Sequence, residues 1–481
     1  MTSLSDAIAS TRMRLAAHGQ EHVLRFIGEL DGTRARALLA QCDALPLDLL
    51  AREMTAILGT AQSGMAEPSH TRIEAVDVIP AHPEGWVEYA TAGEALLRAG
   101  KVACFTVAGG QGTRLGWDAP KGTFPASPIT QRSLFQIFAE GIRGLRERFG
   151  APLDWIVMTS PQNDVPTREF FQSHGSWGLA PGTVRFIVQG TMPALDRRGK
   201  ILLSDRSELA TNPDGHGGSI RALAESGELA RLRGRGVEHL SYFQVDNPLV
   251  HPAEPLFLGL HATHPSSGGQ MSSRSVSRRS AAEKVGVFCQ RAGRVGIIEY
   301  SDMPPELAAA VLDDGRLLHG AGNIAVHALS LAFIEQLTQD GLALPFHVAH
   351  KKVPCLDSGG VLQAPSEPNG IKLETFIFDA LPLADRPIVV DSRRDEWYAP
   401  IKNADGGDSP ATSKAAQVAR AARWLEACGV RAPRNGDGDV DAVIEVDPAV
   451  ALSENDLRTA LATGQARAPK QVNPGDRFVV A

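Results

Sequence analysis

Several signals are scarce or missing in this chain, and each absence excludes a class of function. Cys42, Cys104, Cys289, Cys355 and Cys428 are odd in number and widely spaced, with no Cys-x-x-Cys pair. That pattern argues against a disulfide framework or a thiolate zinc site and fits reduced thiols. No apolar run approaches the roughly 18 residues of a membrane span. Met1-Thr-Ser-Leu-Ser-Asp6 lacks the basic-then-apolar layout of a signal peptide. A cytoplasmic protein with no membrane partner is expected. Basic residues are not in excess, with 48 Lys and Arg against 55 Asp and Glu and a net charge of −7. Broad nucleic-acid binding, which needs a basic face, is therefore excluded. An anionic ligand must instead be met by a local cluster of Lys, Arg or metal. Internal repeats and low-complexity tracts are also absent.

What is present describes a large globular chain. Its 481 residues are 43% apolar and 21% charged, enough for an α/β catalytic domain with smaller appendages. Residues 1–95 read as helical, from apolar stripes such as Val23, Leu24, Phe26, Ile27 and Leu30. From 96 to 385, short apolar strands alternate with amphipathic helices, the pattern of a largely parallel sheet. Strands are predicted at 102–107, 154–159, 184–188 and 240–245, and a helix from Ser133 through Glu140. The Ser-, Gly- and Arg-rich stretch 264–282 reads as a flexible loop or exposed edge strand, with Arg274, Arg278 and Arg279 as solvated charge. Residues 386–481 read as a small C-terminal domain with β character, including strands 443–446 and 477–480.

The stretch that organises the chain is Val102-Ala-Cys-Phe-Thr-Val-Ala108-Gly-Gly-Gln-Gly-Thr-Arg114, followed by Pro120-Lys121-Gly122. An apolar run breaks into glycines at Gly109, Gly110 and Gly112, and cations follow at Arg114 and Lys121. A strand ending in a glycine-rich turn presents unobstructed backbone N–H groups at its C-terminal edge, where α/β sheets bind ligands. Nearby cations can neutralise the phosphates those groups hold. The lysine-bearing P-loop is absent, and the third glycine of a dinucleotide fingerprint would fall at Arg114 or Leu115. Taken alone, such a turn is equally structural punctuation. Asp246, after the strand Tyr242-Phe-Gln-Val245, could hold Mg²⁺ against phosphate oxygens or simply belong to an Asp-Asn turn. Gln189 has the donor and acceptor that suit the paired edge of a uracil, and reads equally as an exposed polar residue. His347 and His350 have no third ligand nearby, so a metal pair is not expected.

Ala108-Gly-Gly-Gln-Gly-Thr-Arg-Leu-Gly116 and Pro120-Lys-Gly122 resemble the signature loop of the eukaryotic-type UDP-sugar pyrophosphorylases, nearest to their UDP-N-acetylglucosamine branch. The resemblance runs from about residue 19 to 455. It takes in Gln189-Gly-Thr-Met-Pro-Ala194, Pro213-Asp-Gly-His-Gly217, Val245-Asp-Asn247, Glu283-Lys-Val-Gly286, Ile298-Glu299, Ala321-Gly-Asn323, Asn369-Gly-Ile-Lys372 and Ile401-Lys-Asn-Ala-Asp405. It implies a Rossmann-like mixed, mostly parallel sheet of the nucleotidyltransferase (glycosyltransferase A-like) kind, with a helical N-terminal region and a small β-containing C-terminal domain. It also implies nucleotide contacts from Ala108, Gly109, Gly110, Lys121, Gln189, Gly215, Asp246 and Lys372. Catalytic charge would come from Arg114, Lys121 and Lys402, and Mg²⁺ would sit at Asp246. Sugar contacts would come from His216, Gly286, Glu299 and Asn323. His216 departs from the N-acetylglucosamine branch, which typically carries asparagine there, and matches the glucose branch.

The expected activity is a Mg²⁺-dependent uridylyltransferase joining UTP and a sugar 1-phosphate, N-acetylglucosamine-1-phosphate first. Glucose-1-phosphate or several sugars are the alternative. A UDP-sugar binder without turnover would be marked by loss of Arg114, Lys121 or Asp246, and all three are present. A glycosyltransferase would normally carry Asp-x-Asp, which Asp246-Asn247-Pro248 does not supply.

Overall fold

The computed structural model describes residues 3–63, 72–82 and 84–481. Met1, Thr2, 64–71 and 83, part of the stretch read as helical, lie outside the described residues. The chain forms two compact units, each assembled from discontinuous segments. One comprises Met1–Thr71, Gly190–Ser219 and Ala343–Ile377; the other comprises Arg72–Gln189, Ile220–Leu342 and Phe378–Ala481.

The first unit holds helices Leu4–Ala17, Gly32–Asp43 and Leu47–Ser63. Ser3 caps the first by accepting from the Asp6 N–H, and Asp31 caps the second through Thr33 and Arg34. Its core joins Leu15, Val23, Leu24, Leu38 and Leu39 with Met192, Leu195, Ile371 and Leu373. Strands His347–Lys351, Gly370–Glu374 and Leu195–Asp196 form a small antiparallel sheet.

The second unit is built on an eleven-stranded sheet. Its strands are β1 (Ile73–Ala75), β2 (Val78–Ile79), β3 (Val102–Val107), β4 (Asp154–Thr159), β5 (Val184–Val188), β6 (His239–Gln244), β7 (Met271–Ser277), β8 (Val287–Arg291), β9 (Arg294–Ile298), β10 (Ala321–Ser330) and β11 (Ile388–Ser392). The main order is β2-β11-β7-β10-β6-β3-β4-β5, with β8 joined to β10, β9 and β1 at the side. Within that order β10 alone is reversed, pairing antiparallel with β6 and β7. The other neighbours are parallel. This is the mostly parallel α/β sheet expected from the sequence. β3 and β4 are continuous apolar runs because both sheet faces are covered, as in buried parallel strands. Helix Leu134–Phe149 covers one face; Ser133 caps it through the Gln136 N–H, and Gly150 ends it in a left-handed conformation.

Register determines what this sheet can present. Gln244 lies opposite Val107, Val107 opposite Met158, and Met158 opposite Ile187. The loops that begin at Ala108, Ser160, Gln189 and Val245 therefore leave from one edge. Since β10 runs the other way, its first residues reach the same edge, with Asn323 opposite Ser275. Val276 lies opposite Ser392, so the chain leaving β11 at Arg393 joins them.

The reading of 264–282 is corrected here for its middle, while Arg279 is exposed as expected. Met271–Ser277 is an interior strand, not a loop or edge; Ser272, Ser273 and Ser275 are wholly buried, and Arg274 and Arg278 nearly so. Arg274 pairs with Glu254, donates to Ser392 Oγ at 2.8 Å and lies 3.7 Å over the Trp397 ring. The polar sequence concealed a strand whose serines are buried and whose arginine charge is paired internally.

The last hundred residues include helix Pro410–Ala427, started by a Ser409–Thr412 capping box, and parallel strands Val443–Val446 and Arg477–Val480. Helix Glu454–Thr463 adds to a separate small core of Trp424, Leu425, Ile444, Leu457 and Val480. Arg132 ties this part to the loop before helix Leu134–Phe149, bonding Glu140 at 2.5 Å, Glu445 at 2.5 Å and Asp447 at 2.6 Å. No helix among the described residues is long and apolar enough to cross a membrane.

Candidate active site

The glycine-rich loop leaves β3 with its first amide still in the sheet, since the Ala108 N–H donates to the Met158 carbonyl at 2.8 Å. Among the described residues, the amides of Gly109 and Gly110 have no protein acceptor. Their carbonyl side is secured by Asn163, which is wholly buried and donates Nδ2 to the oxygens of Ala108 at 2.9 Å and Gly110 at 3.3 Å. Asn163 is held in turn by the Ser160 N–H at 2.7 Å. The loop thus leaves two backbone donors free beside carbonyls already taken by Asn163, as an anion cradle requires. Gln189 follows β5; a Cβ on Gly109 would lie 3.0 Å from its Oε1.

The loop returns to itself at Lys121, whose N–H donates to the Gly110 carbonyl at 3.0 Å. Gly122 must be glycine, because a Cβ there would stand 2.2 Å from the Phe135 ring. Lys121 Nζ is thereby brought to 3.5 Å from Asp246 Oδ2, with the two side chains 12% and 13% exposed. Arg114, in the short turn Thr113–Leu115, is exposed and forms no ion pair among the described residues.

Asp246 is reached from β6 and is joined to the segment after β11. Its carbonyl accepts from the Ile401 N–H at 2.8 Å. Asn247, also buried, donates Nδ2 to the Trp397 carbonyl at 2.7 Å and accepts from the Ala399 N–H at 3.2 Å. That staple lays residues 397–402 alongside Asp246-Asn247. Lys402 Nζ donates to Tyr398 Oη at 2.7 Å and lies 3.4 Å from Asp408 Oδ2. Burial pushes the Lys402 ammonium down, but Tyr398, Asp246 and Asp408 outweigh it and hold it above the ordinary lysine range. Lys121, Asp246 and Lys402 therefore share one charged cluster beside the glycine loop.

Gly286, Glu299 and Asn323 also come together, at the ends of β8, β9 and β10. The Asn323 N–H donates to the Gly286 carbonyl at 2.8 Å, and a Cβ on Gly286 would lie 3.2 Å from Glu299 Oε1. Asn323 Oδ1 accepts from the Ala325 N–H at 2.9 Å.

Gly215, His216 and Lys372 belong to the other unit. Gly215 has φ +84°, and a Cβ there would meet the Thr375 carbonyl at 2.2 Å, so both backbone conformation and space require glycine. The Thr375 N–H donates to the Asp214 carbonyl at 2.8 Å and the Gly217 N–H to the Thr375 carbonyl at 2.8 Å. These bonds join the turn to the end of strand Gly370–Glu374, which carries Lys372. His216 Nδ1 accepts from the Ile377 N–H at 3.2 Å, and its ring stacks on Phe376 with centroids 5.1 Å apart. Burial, with His347 as the smaller cause, lowers the His216 imidazole to about 4. The ring is therefore neutral at ordinary pH, and with Nδ1 accepting, its proton is on Nε2. His347 and His350 lie on one strand three residues apart, hence on opposite faces.

No group of three His, Cys, Asp or Glu among the described residues could hold a metal by itself. Asp246 nonetheless fits Mg²⁺ chemically: this ion is commonly held by one or two carboxylates, with phosphate oxygens and water completing the octahedron. Asn163, Asn247 and Tyr398 were not picked out from the sequence. Asn247 alone carried a signal, lying beside Asp246 in the quoted Val-Asp-Asn run; Asn163 and Tyr398 stand in unremarkable surroundings.

Comparison with known proteins bears on the family of the chain. The family described as UTP–glucose-1-phosphate uridylyltransferase matches residues 61–407. UDP-N-acetylhexosamine pyrophosphorylase-like protein 1 of Mus musculus is 33% identical, over 96% of this chain and 97% of its own length. UDP-N-acetylglucosamine pyrophosphorylase of Saccharomyces cerevisiae is 37% identical, over 71% and 73%. In fold, the chain is similar to the crystal structure of the uridine diphosphate N-acetylglucosamine pyrophosphorylase from Trypanosoma brucei, with a TM-score of 0.77, 24% identity and 98% of each chain covered. With its motifs and its strand order, the chain belongs to the UTP–glucose-1-phosphate uridylyltransferase family.

Proposed function

We propose that the protein is a uridylyltransferase that makes UDP-N-acetylglucosamine and pyrophosphate from UTP and N-acetylglucosamine-1-phosphate. The observation that carries this reading is the convergence of two unpartnered glycine amides, Lys121, Asp246 and Lys402 at one strand edge. A phosphate oxygen of the sugar phosphate attacks the α-phosphorus of UTP. The new O–P bond forms as the bond to the β-phosphate bridging oxygen breaks, and its electron pair leaves with pyrophosphate. Such a transfer needs positioning and charge neutralisation more than covalent help.

In this reading the amides of Gly109 and Gly110, with Ala108, hold the nucleotide. Lys121 and Arg114 offset charge on the departing pyrophosphate, and Lys402 serves the reacting phosphate. Gln189 reads uracil, and Gly286, Glu299 and Asn323 supply directional hydrogen bonds to sugar hydroxyls. The roles implied for Gly215, His216 and Lys372 belong to the same proposal. Asp246 would hold Mg²⁺, which when bound supplies Lewis-acid neutralisation of phosphate charge. The choice of N-acetylglucosamine is supported by the names of the relatives and by the Gly286, Glu299 and Asn323 motifs. His216 is the one residue that favours glucose. A cytoplasmic setting is part of the proposal, supported by five free thiols, three of them buried.

Pyrophosphate release from UTP and Mg²⁺ with a panel of sugar 1-phosphates tests the reading. N-acetylglucosamine-1-phosphate should give the highest kcat/KM. Equal or better turnover of glucose-1-phosphate would move the assignment to glucose or to a broad enzyme. No release with any sugar would leave a UDP-sugar binder.

A further inference from the structure

Tyr398 has no role in the assignment above, yet its hydroxyl is the closest partner of the Lys402 ammonium, at 2.7 Å. Nζ stands 5.2 Å from the ring centroid, so the ammonium lies out beyond the hydroxyl and not over the π face. The contact is an end-on, charge-assisted hydrogen bond with the phenol oxygen as acceptor. The ring is 9% exposed, with the Arg394 guanidinium 5.0 Å from its centroid.

The backbone here is fixed without help from that hydroxyl. The Tyr398 N–H donates to the Arg394 carbonyl at 2.9 Å, Asn247 clamps Trp397 and Ala399, and the Ile401 N–H meets Asp246. The Lys402 N–H donates to the Asp408 carbonyl at 2.7 Å. What the backbone leaves undecided is the lysine side chain, whose flexible stem and rotatable donors make it a loose point charge. Two carboxylates compete for it, Asp408 at 3.4 Å and the more distant Asp246. A full salt bridge to Asp408 would draw the charge toward the turn at 402–408. The phenol oxygen takes one donor at close range without neutralising the charge, and the ammonium stays available to phosphate.

We propose that Tyr398 is a positioning residue for nucleotidyl transfer, its hydroxyl holding the Lys402 ammonium in the direction of the reacting phosphates. The inference rests on the uridylyltransferase reading and on a role for Lys402 within it. Tyr398 acts through Lys402, and deleting its oxygen leaves the ring, the Arg394 contact and the backbone clamp intact.

The test is Tyr398→Phe, assayed by pyrophosphate release alone and in a Lys402→Met background, with UTP affinity measured by calorimetry in all four proteins. Losing a hydrogen bond to a charged group should lower kcat about tenfold, with KM for UTP changed by less than about twofold. In the Lys402→Met background Tyr398→Phe should change neither residual turnover nor UTP affinity, since its target is gone. Unchanged kcat in an active enzyme would overturn the inference alone. So would an equal loss in turnover or affinity with and without Lys402, which is what a merely structural tyrosine gives. A wild-type protein that releases no pyrophosphate with any sugar 1-phosphate would overturn the underlying reading, and this inference with it.

Discussion

The two units treat charge in opposite ways. In the sheet unit, Lys121, Asp246, Lys402 and Asp408 gather at a strand edge, and Lys402 is held above its ordinary range by neighbouring oxygens. In the helical unit, His216 packs on Phe376 beside His347 and is driven toward its neutral form. The first arrangement suits a ligand of dense negative charge, because fixed cations stabilise charge that shifts during reaction. The second suits an uncharged ligand group, read by a donor whose tautomer is set by a backbone amide. On the proposed reading, rate depends chiefly on Lys121, Asp246 and Lys402, and His216 adds to the sugar choice made by Gly286, Glu299 and Asn323.

The sharpest way to break that division is to discharge the first cluster. Lys121→Ala or Asp246→Asn should each lower kcat by about 10²–10³, the usual cost of losing one contact to transition-state charge. The ratio of kcat/KM for N-acetylglucosamine-1-phosphate to that for glucose-1-phosphate should stay nearly constant. Steady-state kinetics with both sugars measures rate and ratio together, and a ratio that moves with the rate would show that the two functions are not separable. The converse change, His216→Asn, should shift the ratio toward the N-acetylated sugar by about tenfold, the range of a single hydrogen bond, with kcat on the better substrate little altered. A large loss of kcat on both sugars would place His216 in the charge-handling part instead.

Asn247→Ala asks how far the first cluster depends on its clamp. Its carboxamide is buried and makes bonds of 2.7 and 3.2 Å to the segment that carries Lys402. Removing it leaves a buried carbonyl and an amide unpaired, so thermal or urea unfolding should register a loss of about 1–3 kcal/mol. Turnover should fall with it, while the sugar ratio should not.

How much of this was readable in the chain follows from what local pattern encodes. The strands at 102–107, 154–159 and 184–188 were legible because short apolar-rich runs bounded by turns have few other homes. The strand predicted at 240–245 lies one residue earlier, within the usual fraying of element ends. The glycine loop was legible because glycine, lysine and arginine after a strand have a direct physical use. Strand Met271–Ser277 was not: its serines and Arg274 read as solvent-facing, and their partners, Glu254, Trp397 and Ser392, lie far along the chain. Asn163 was hidden for the same reason, since it buttresses a loop more than fifty residues away. Tyr398 lies only four residues from Lys402, but a tyrosine at that spacing carries no signal of the bond. Nor does local pattern announce that residues 190–219 and 343–377 join the N-terminal helices in one unit.

The smallest effect expected is one of pH, and its sign distinguishes the buried histidines from Lys402. His216 lies near 4 in the folded protein, and His251 and His261 are likewise lowered by burial, to about 4 and about 3. Each is neutral when folded at neutral pH and would regain an ordinary value near 6.5 when unfolded. Between about pH 6.5 and pH 4 the unfolded chain thus binds more protons, and stability falls as pH is lowered through that window. Above it these histidines contribute no slope. The sugar ratio should accordingly be flat from about pH 6 upward, because His216 is already neutral there and gains nothing from further deprotonation. Lys402, held in the opposite direction, stays charged over the same range, so it too leaves the ratio unmoved. Urea midpoints taken from pH 7.5 down to pH 4.5 should decline, and His261→Gln should flatten part of that decline without touching the ratio. A sugar preference that titrates near pH 6.5 would mean that His216 is exchanging protons with solvent, and the neutral donor assigned to it would have to be given up.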